Sequence, residues 1–172
     1  TPTSKLGGVP CLKSGDRWPE CEGCSQKMRF MLQVNLAASG YQTVKGIGIE
    51  GSRRDGLLQL WCCDMEEGDC DTFEAFSGAH FLRVVPPKDF AKFERSPKMP
   101  DGVEPHKVKV IQNFQRRREL PSSEEVELDG ADGVWDLLGN NTTSGDKIGG
   151  WPNWCQSVEY PECPECSESM TN

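Results

Sequence analysis

The sequence predicts an α+β, β-rich protein made of duplicated antiparallel-sheet units, the second of them truncated. Three observations predict it. Eighteen glycines and 12 prolines among 172 residues imply many turns and few long helices. The apolar runs are short and alternate with the period of strands. Residues 5 to 28, KLGGVPCLKSGDRWPECEGCSQKM, return as residues 147 to 170, KIGGWPNWCQSVEYPECPECSESM, without a gap. Ten of the 24 aligned positions are identical, among them two glycines, two prolines and both cysteines of a Cys-x-x-Cys. A repeat that keeps glycine, proline and cysteine in register is the mark of a duplicated structural unit. We therefore divide the chain into a first unit over 1–95, a linker with a short strand and an acidic segment over 96–146, and an incomplete second unit over 147–172. The first copy runs on into an apolar strand and the second stops two residues after Met170, so the expectation is a piece of something longer.

The elements follow in order. Residues 1 to 24 are turn-rich, with Gly7-Gly8, Pro10, Gly15-Asp16 and Pro19 ahead of Cys21 and Cys24. Lys27 to Leu36 reads as a strand with Met28, Phe30, Leu32, Val34 and Leu36 on one side. Ala37 to Gly40 and the glycine-rich Gly46 to Asp55 read as loops. Gly56 to Cys63 is a second strand. Leu58, Leu60 and Cys62 lie on one of its faces, and Leu57, Gln59, Trp61 and Cys63 on the other. Apolar groups on both faces predict a central strand. Asp64 to Asp71 is an acidic loop carrying Cys70. Phe81 to Val85 is a third strand stopped by Pro86-Pro87, and Lys88 to Arg95 a short helix with Phe90 and Phe93. A last short strand spans Val108 to Gln112. Arg116 to Arg118 form a basic cluster and Ser122 to Asp132 an acidic run, both expected as solvated surface.

Composition excludes several functions. A net charge of −8 is unsuited to binding a nucleic-acid backbone, which calls for a basic face. It suits a protein partner, a basic one in particular. No run of about 18 apolar residues is present, so no membrane-spanning helix is expected.

The nine cysteines are an odd number, unlike the even count of most secreted disulfide scaffolds. Four of them form two Cys-x-x-Cys pairs, each preceded by Pro-Glu. A disulfide inside such a pair closes only a tiny loop, whereas the spacing suits two ligands of one tetrahedral metal. A hairpin of the first two strands returns Cys63 to Cys24. The predicted ligands are Cys21, Cys24, Cys63 and Cys70, arranged like a zinc ribbon around a structural Zn2+. Their sulfurs should lie about 2.3 Å from a common centre. The heads are thus zinc-knuckle-like, and Cys62 points to the opposite face as a small apolar group. Metal-free buried thiols and a redox disulfide are the other readings. Cys163 and Cys166 form a half site with Cys155 as the one nearby extra thiol. Thiols held reduced point to the cytoplasm.

No catalytic set stands out. His80 and His106 are the only histidines, and neither belongs to a metal or nucleophile motif. Gly46, Gly48 and Gly51 complete a lone G-x-G-x-x-G with no strand before it and no helix after it. Trp18, Trp151 and Trp154 flank the Gly/Pro turns, where a ring ordinarily covers the core. A carbohydrate or peptide platform is the sharper alternative. His80 with an acidic partner would make a metal-independent hydrolase.

Lys-Leu-Gly-Gly-x-Pro, then Pro-Glu-Cys-x-x-Cys-x-x-x-Met-Arg-Phe-x-x-Gln, then Leu-Leu-Gln-Leu-Trp-Cys-Cys resemble the YwqG-like family of uncharacterised proteins. The head at 147 to 166 resembles that family's other half. The family lends no catalytic residues. The same order is similar, more distantly, to the programmed-cell-death-protein-two family, whose members act as dedicated chaperones for a small-subunit ribosomal protein. That resemblance implies a non-enzymatic, protein-binding role.

The function expected from the sequence is therefore a non-enzymatic interaction module stabilised by zinc, chaperone-like or toxin-neutralising as an immunity protein is. The rival is a hydrolase or carbohydrate-binding protein using the Gly/Pro/Trp loops.

Overall fold

A computed structural model describes residues 1–39, 55–64, 70–72, 74–94, 97–115, 117, 145–152, 154 and 157–170. Outside them lie most of the 46–55 loop with Gly46, Gly48 and Gly51, most of the arginine cluster, the acidic run 122–132, Trp135 and Cys155. The chain divides into two compact units, Thr1–Phe114 and Gln115–Asn172.

The first unit is one antiparallel sheet. Its strands are β1 (Lys5–Leu6), β2 (Arg29–Asn35), β3 (Leu57–Cys62), β4 (His80–Val85) and β5 (Lys109–Val110). Their spatial order is β4-β3-β2-β1-β5, and every pairing is antiparallel. The one helical element of the described residues is a 3-10 segment, Pro87–Lys92. The fold is β-rich with almost no helix. A duplicated sheet is not shown: the described residues of the second unit hold an isolated Glu162–Ser169 bridge and no strand.

The two apolar faces of β3 are why it sits between β2 and β4. Strict alternation along β2 fails at one point. Phe30 pairs with Trp61 and Leu32 with Leu60, so Met31 is an extra residue, a β-bulge. The bulge sends Phe30 and Leu32 to opposite faces, although the sequence period places them together. On one face Phe30, Trp61 and Phe81 meet. Trp61 and Phe30 are fully buried, their rings edge-on with centroids 5.4 Å apart.

Farther along that face the core turns polar. Gln33, Gln59 and Arg83 are cross-strand neighbours, and both glutamines are buried. Gln59 donates to Gln33 Oε1 at 3.3 Å and to the Cys11 carbonyl at 2.8 Å. Gln33 donates to the Thr3 carbonyl at 2.8 Å and accepts from the Cys11 amide at 3.1 Å. Arg83 donates to Gln59 Oε1 at 2.9 Å and to Asp16 at 3.0 Å, and its guanidinium lies 5.1 Å from the Trp61 ring centre. These bonds satisfy groups that would be costly to bury alone and fix the N-terminal segment across the sheet.

The opposite face carries a row of leucines, Leu6, Leu32, Leu60 and Leu82, paired in register across four strands. Leu82 at its end is 49% exposed. Beside β1 the Gly7-Gly8 turn has positive φ at both residues, 63° and 70°. A Cβ on Gly7 would stand 2.8 Å from the His106 carbonyl oxygen, so only glycine lets the 106–108 segment close over this edge. The turn-rich reading of residues 1 to 24 overlooked β1, whose two residues are too few to show a period.

Candidate metal centre

The first head folds into a tight knuckle. Glu20 and Lys27 bridge its stem, and their side chains form an ion pair on the surface. Within it the Cys21 amide donates to the Gln26 carbonyl at 2.9 Å and the Ser25 amide to the Cys21 carbonyl at 2.8 Å. The Met28 amide closes the loop on Pro19 at 2.9 Å. Ser25 takes the left-handed conformation, φ 57°, which tightens the turn. Burial pushes the Cys21 thiol up, but the amides of Cys24 and Gly23 point at its sulfur. With the neighbouring thiols they bring it down to about 7.

The other two thiols arrive from β3 and the segment after it. Cys63 follows the last residue of β3, and its amide donates to the Ala79 carbonyl at 2.8 Å. Cys70 reaches the cluster beside Gly23. A Cβ on Gly23 would come within 3.3 Å of the Cys70 sulfur, so the glycine inside Cys-Glu-Gly-Cys keeps that approach open. Gly78 works similarly from outside. Its φ is 75°, and a Cβ there would meet Glu22 at 2.8 Å, while its carbonyl accepts the Glu22 amide at 3.2 Å.

The sulfurs of Cys21, Cys24, Cys63 and Cys70 all lie within 4.8 Å of one another. Cys21 and Cys70 are 3.5 Å apart, Cys24 and Cys63 3.7 Å. Four sulfurs at about 2.3 Å from a central ion stand about 3.8 Å apart along each tetrahedral edge. Two of the sulfur pairs come close to that edge length, and the four sulfurs are near enough together to hold one metal ion. No pair is bonded, since all four are free cysteines. Cys21 and Cys63 are buried, whereas Cys24 and Cys70 are partly open. Hydrogen bonds with Cys24 and Cys21 push the Cys70 thiol up, with burial and the neighbouring Cys63 adding to this. Cys70 thus keeps a proton that a divalent cation would displace. Four such ligands fill a tetrahedral shell and leave no position for substrate, so the chemistry open to the site is structural.

This cluster is part of the apolar core. Leu12, Met28, Phe30, Trp61 and Ala79 pack with Cys21 and Cys63, and Trp18 covers it. Trp18 Nε1 donates to the Met28 carbonyl at 2.7 Å, so its ring seals the knuckle against β2.

The remaining sequence candidates lie elsewhere. Cys62 is half-buried at the end of β3, opposite His80, with its thiol pushed up by burial. His80 is exposed at the start of β4. The His106 carbonyl accepts the Gly8 amide at 2.9 Å. Trp154 lies edge-on to Tyr160 at 5.1 Å. Sequence reasoning missed Gly23 and Gly78. The first was legible as the small residue inside the Cys-x-x-Cys; the second shows its role only once β4 is placed beside the knuckle.

No curated protein matches the chain. The profile of one family, Domain of unknown function (DUF1963), matches residues 4–169, so the chain belongs to that family.

Proposed function

We propose that the protein is a non-enzymatic interaction module whose first unit is held together by a structural zinc ion, and that it binds a basic protein partner. The four-sulfur cluster carries the reading. Thiolate ligands gathered this closely suit zinc above harder cations, and the closed shell supports a scaffold role. Its ligands would be Cys21, Cys24, Cys63 and Cys70. The net charge of −8 supports a basic client, and the half-exposed leucine row offers apolar area for contact. Reduced thiols suit a cytoplasmic setting.

The more distant likeness of the Gly-Gly-x-Pro, Cys-x-x-Cys and Leu-Gln-Leu-x-Cys-Cys order to the programmed-cell-death-protein-two family favours a chaperone-like role. A toxin-neutralising role uses the same acidic surface. Under this reading the two heads descend from a duplication.

Purified protein should carry close to one equivalent of zinc by elemental analysis. A pull-down from the native source should recover one basic protein in stoichiometric amount. Turnover of an ester or glycoside panel that disappears on changing His80 would overturn the reading in favour of a hydrolase.

A further inference from the structure

The second Cys-x-x-Cys is built on the same backbone frame as the first. The Cys163 amide donates to the Glu168 carbonyl at 2.8 Å, the Ser167 amide to the Cys163 carbonyl at 2.8 Å, and the Met170 amide to the Pro161 carbonyl at 2.9 Å. Each bond has its counterpart in the first knuckle, at 2.9, 2.8 and 2.9 Å. Ser167 has φ 57°, the value at Ser25. The stem bridge Glu162–Ser169 matches Glu20–Lys27. The amides of Cys166 and Glu165 point at the Cys163 sulfur, as those of Cys24 and Gly23 point at Cys21, and they lower its thiol.

What differs is the surroundings. The first knuckle meets Cys63 and Cys70. Among the described residues no third donor joins Cys163 and Cys166. Cys163 is half-buried and Cys166 exposed, and both are free thiols. A frame shaped to present two thiolates at metal spacing, with its open side accessible, fills half of a tetrahedral shell. An identical pair from another copy supplies the other half under two-fold symmetry, because an isologous contact brings the same patch to itself.

We propose that Cys163 and Cys166 are half of a second zinc site, completed by the same two cysteines of a second copy of this chain. The ion bridges two chains, and the displaced thiol protons pass to solvent with no change of oxidation state. Glu159, Glu162, Glu165 and Glu168 are all exposed around the pair, so two metal-free copies repel each other at this surface. Association therefore depends on the cation. The inference takes from the first centre only the geometry of its knuckle.

The test uses the whole chain and its Cys163→Ser/Cys166→Ser variant. Both are loaded with Zn2+ under a phosphine reductant and desalted. Light scattering then gives the mass and elemental analysis the metal. The wild-type chain should pass from 19.1 kDa to about twice that mass on zinc addition, and return with a chelator. It should hold about half an equivalent of zinc per chain more than the variant, which should stay monomeric. Zinc-loaded wild type that stays monomeric overturns the proposal. So does a full extra equivalent per chain, the mark of a site completed within one chain. If the first centre held no zinc, both proteins would lose the same equivalent while the half-equivalent difference and the change of mass remained. Failure of that reading is thus told apart from failure of this one.

Discussion

Replacing Cys24 by serine removes one of the four sulfurs gathered at the first knuckle. Its partner Cys63, 3.7 Å away, is buried and faces the apolar cluster of Phe30, Trp61 and Met28. With zinc bound, the change leaves three thiolates and an incomplete shell in a setting that punishes unpaired charge. Structural zinc sites contribute on the order of 10 kcal/mol in zinc-finger peptides, comparable to the whole stability of a typical domain at roughly 5–15 kcal/mol. Cys24→Ser should therefore strip the first unit of most of its stability and leave a loosely packed, aggregation-prone sheet. Cys62→Ser is the control. Cys62 lies one residue from a ligand, but on the leucine face and only half-buried, so its loss should cost about 1 kcal/mol and shift the melting temperature by about 4 °C. Thermal melts of both variants, with zinc measured in the folded fraction, make the comparison. Variants that melt alike, or folded wild type without zinc, would refute the ligand assignment.

Further expectations concern pH and the sheet. In the metal-free protein the Cys21 thiol is lowered to about 7 from an ordinary value near 8.5. Stability from this thiolate is present above that ordinary value and lost as the pH falls through about 7. Zinc affinity should then drop steeply on acidification below pH 7, as read by titration with a chromophoric chelator; affinity flat between pH 8 and 6 would count against thiolate ligation. Gly7→Ala should destabilise the first unit by about 1–3 kcal/mol, because the new Cβ meets two backbone carbonyl oxygens at 2.8 and 2.9 Å; the urea midpoint measures it. Gln59→Leu should cost about 1–3 kcal/mol. It strands the Cys11 carbonyl and removes one of the two acceptors of Arg83, leaving Asp16; a variant as stable as wild type would show the ladder to be dispensable.

Strands β2, β3 and β4 were legible because their periods are long enough to count, whereas the two-residue β1 was not. Leu57–Cys62 carries apolar groups on both faces and lies inside the sheet. Lys109–Val110 is a fragment of the expected short strand. The β2 bulge was not legible, since nothing in Phe30-Met31-Leu32 marks Met31 as extra; partner register decides it. The glutamine ladder was hidden for a similar reason. A glutamine in a strand looks like a solvent-facing residue until its cross-strand neighbour is known to be another glutamine. The expected helix at 88–95 became a 3-10 segment over Pro87–Lys92, a run too short for an α-helix to gain from cooperativity. Bringing Cys63 to Cys21 and Cys24 needed only the hairpin, because its length returns the end of β3 to the knuckle; Cys70 comes from the segment after β3, which the hairpin does not place.

The same geometry explains why a metal suits this core. One half of the buried sheet face is aromatic and ends at the four sulfurs; the other half is a polar ladder that fixes direction but adds little apolar area. Few described apolar residues are fully buried, and hydrophobic stabilisation scales with the area removed from water. A metal ion held by the four sulfurs would tie the knuckle, the end of β3 and Cys70 together from one point. It would thereby supply at the aromatic end what the ladder does not supply at the other. On this argument, metal removal should loosen the packing of Trp18 and Trp61 before it disturbs the backbone of β2 and β3. Tryptophan fluorescence should shift to longer wavelength on chelation while the far-ultraviolet strand signal persists at low temperature. Simultaneous loss of both signals would mean that the sheet has no stability apart from the metal, and the ladder would then be a passenger.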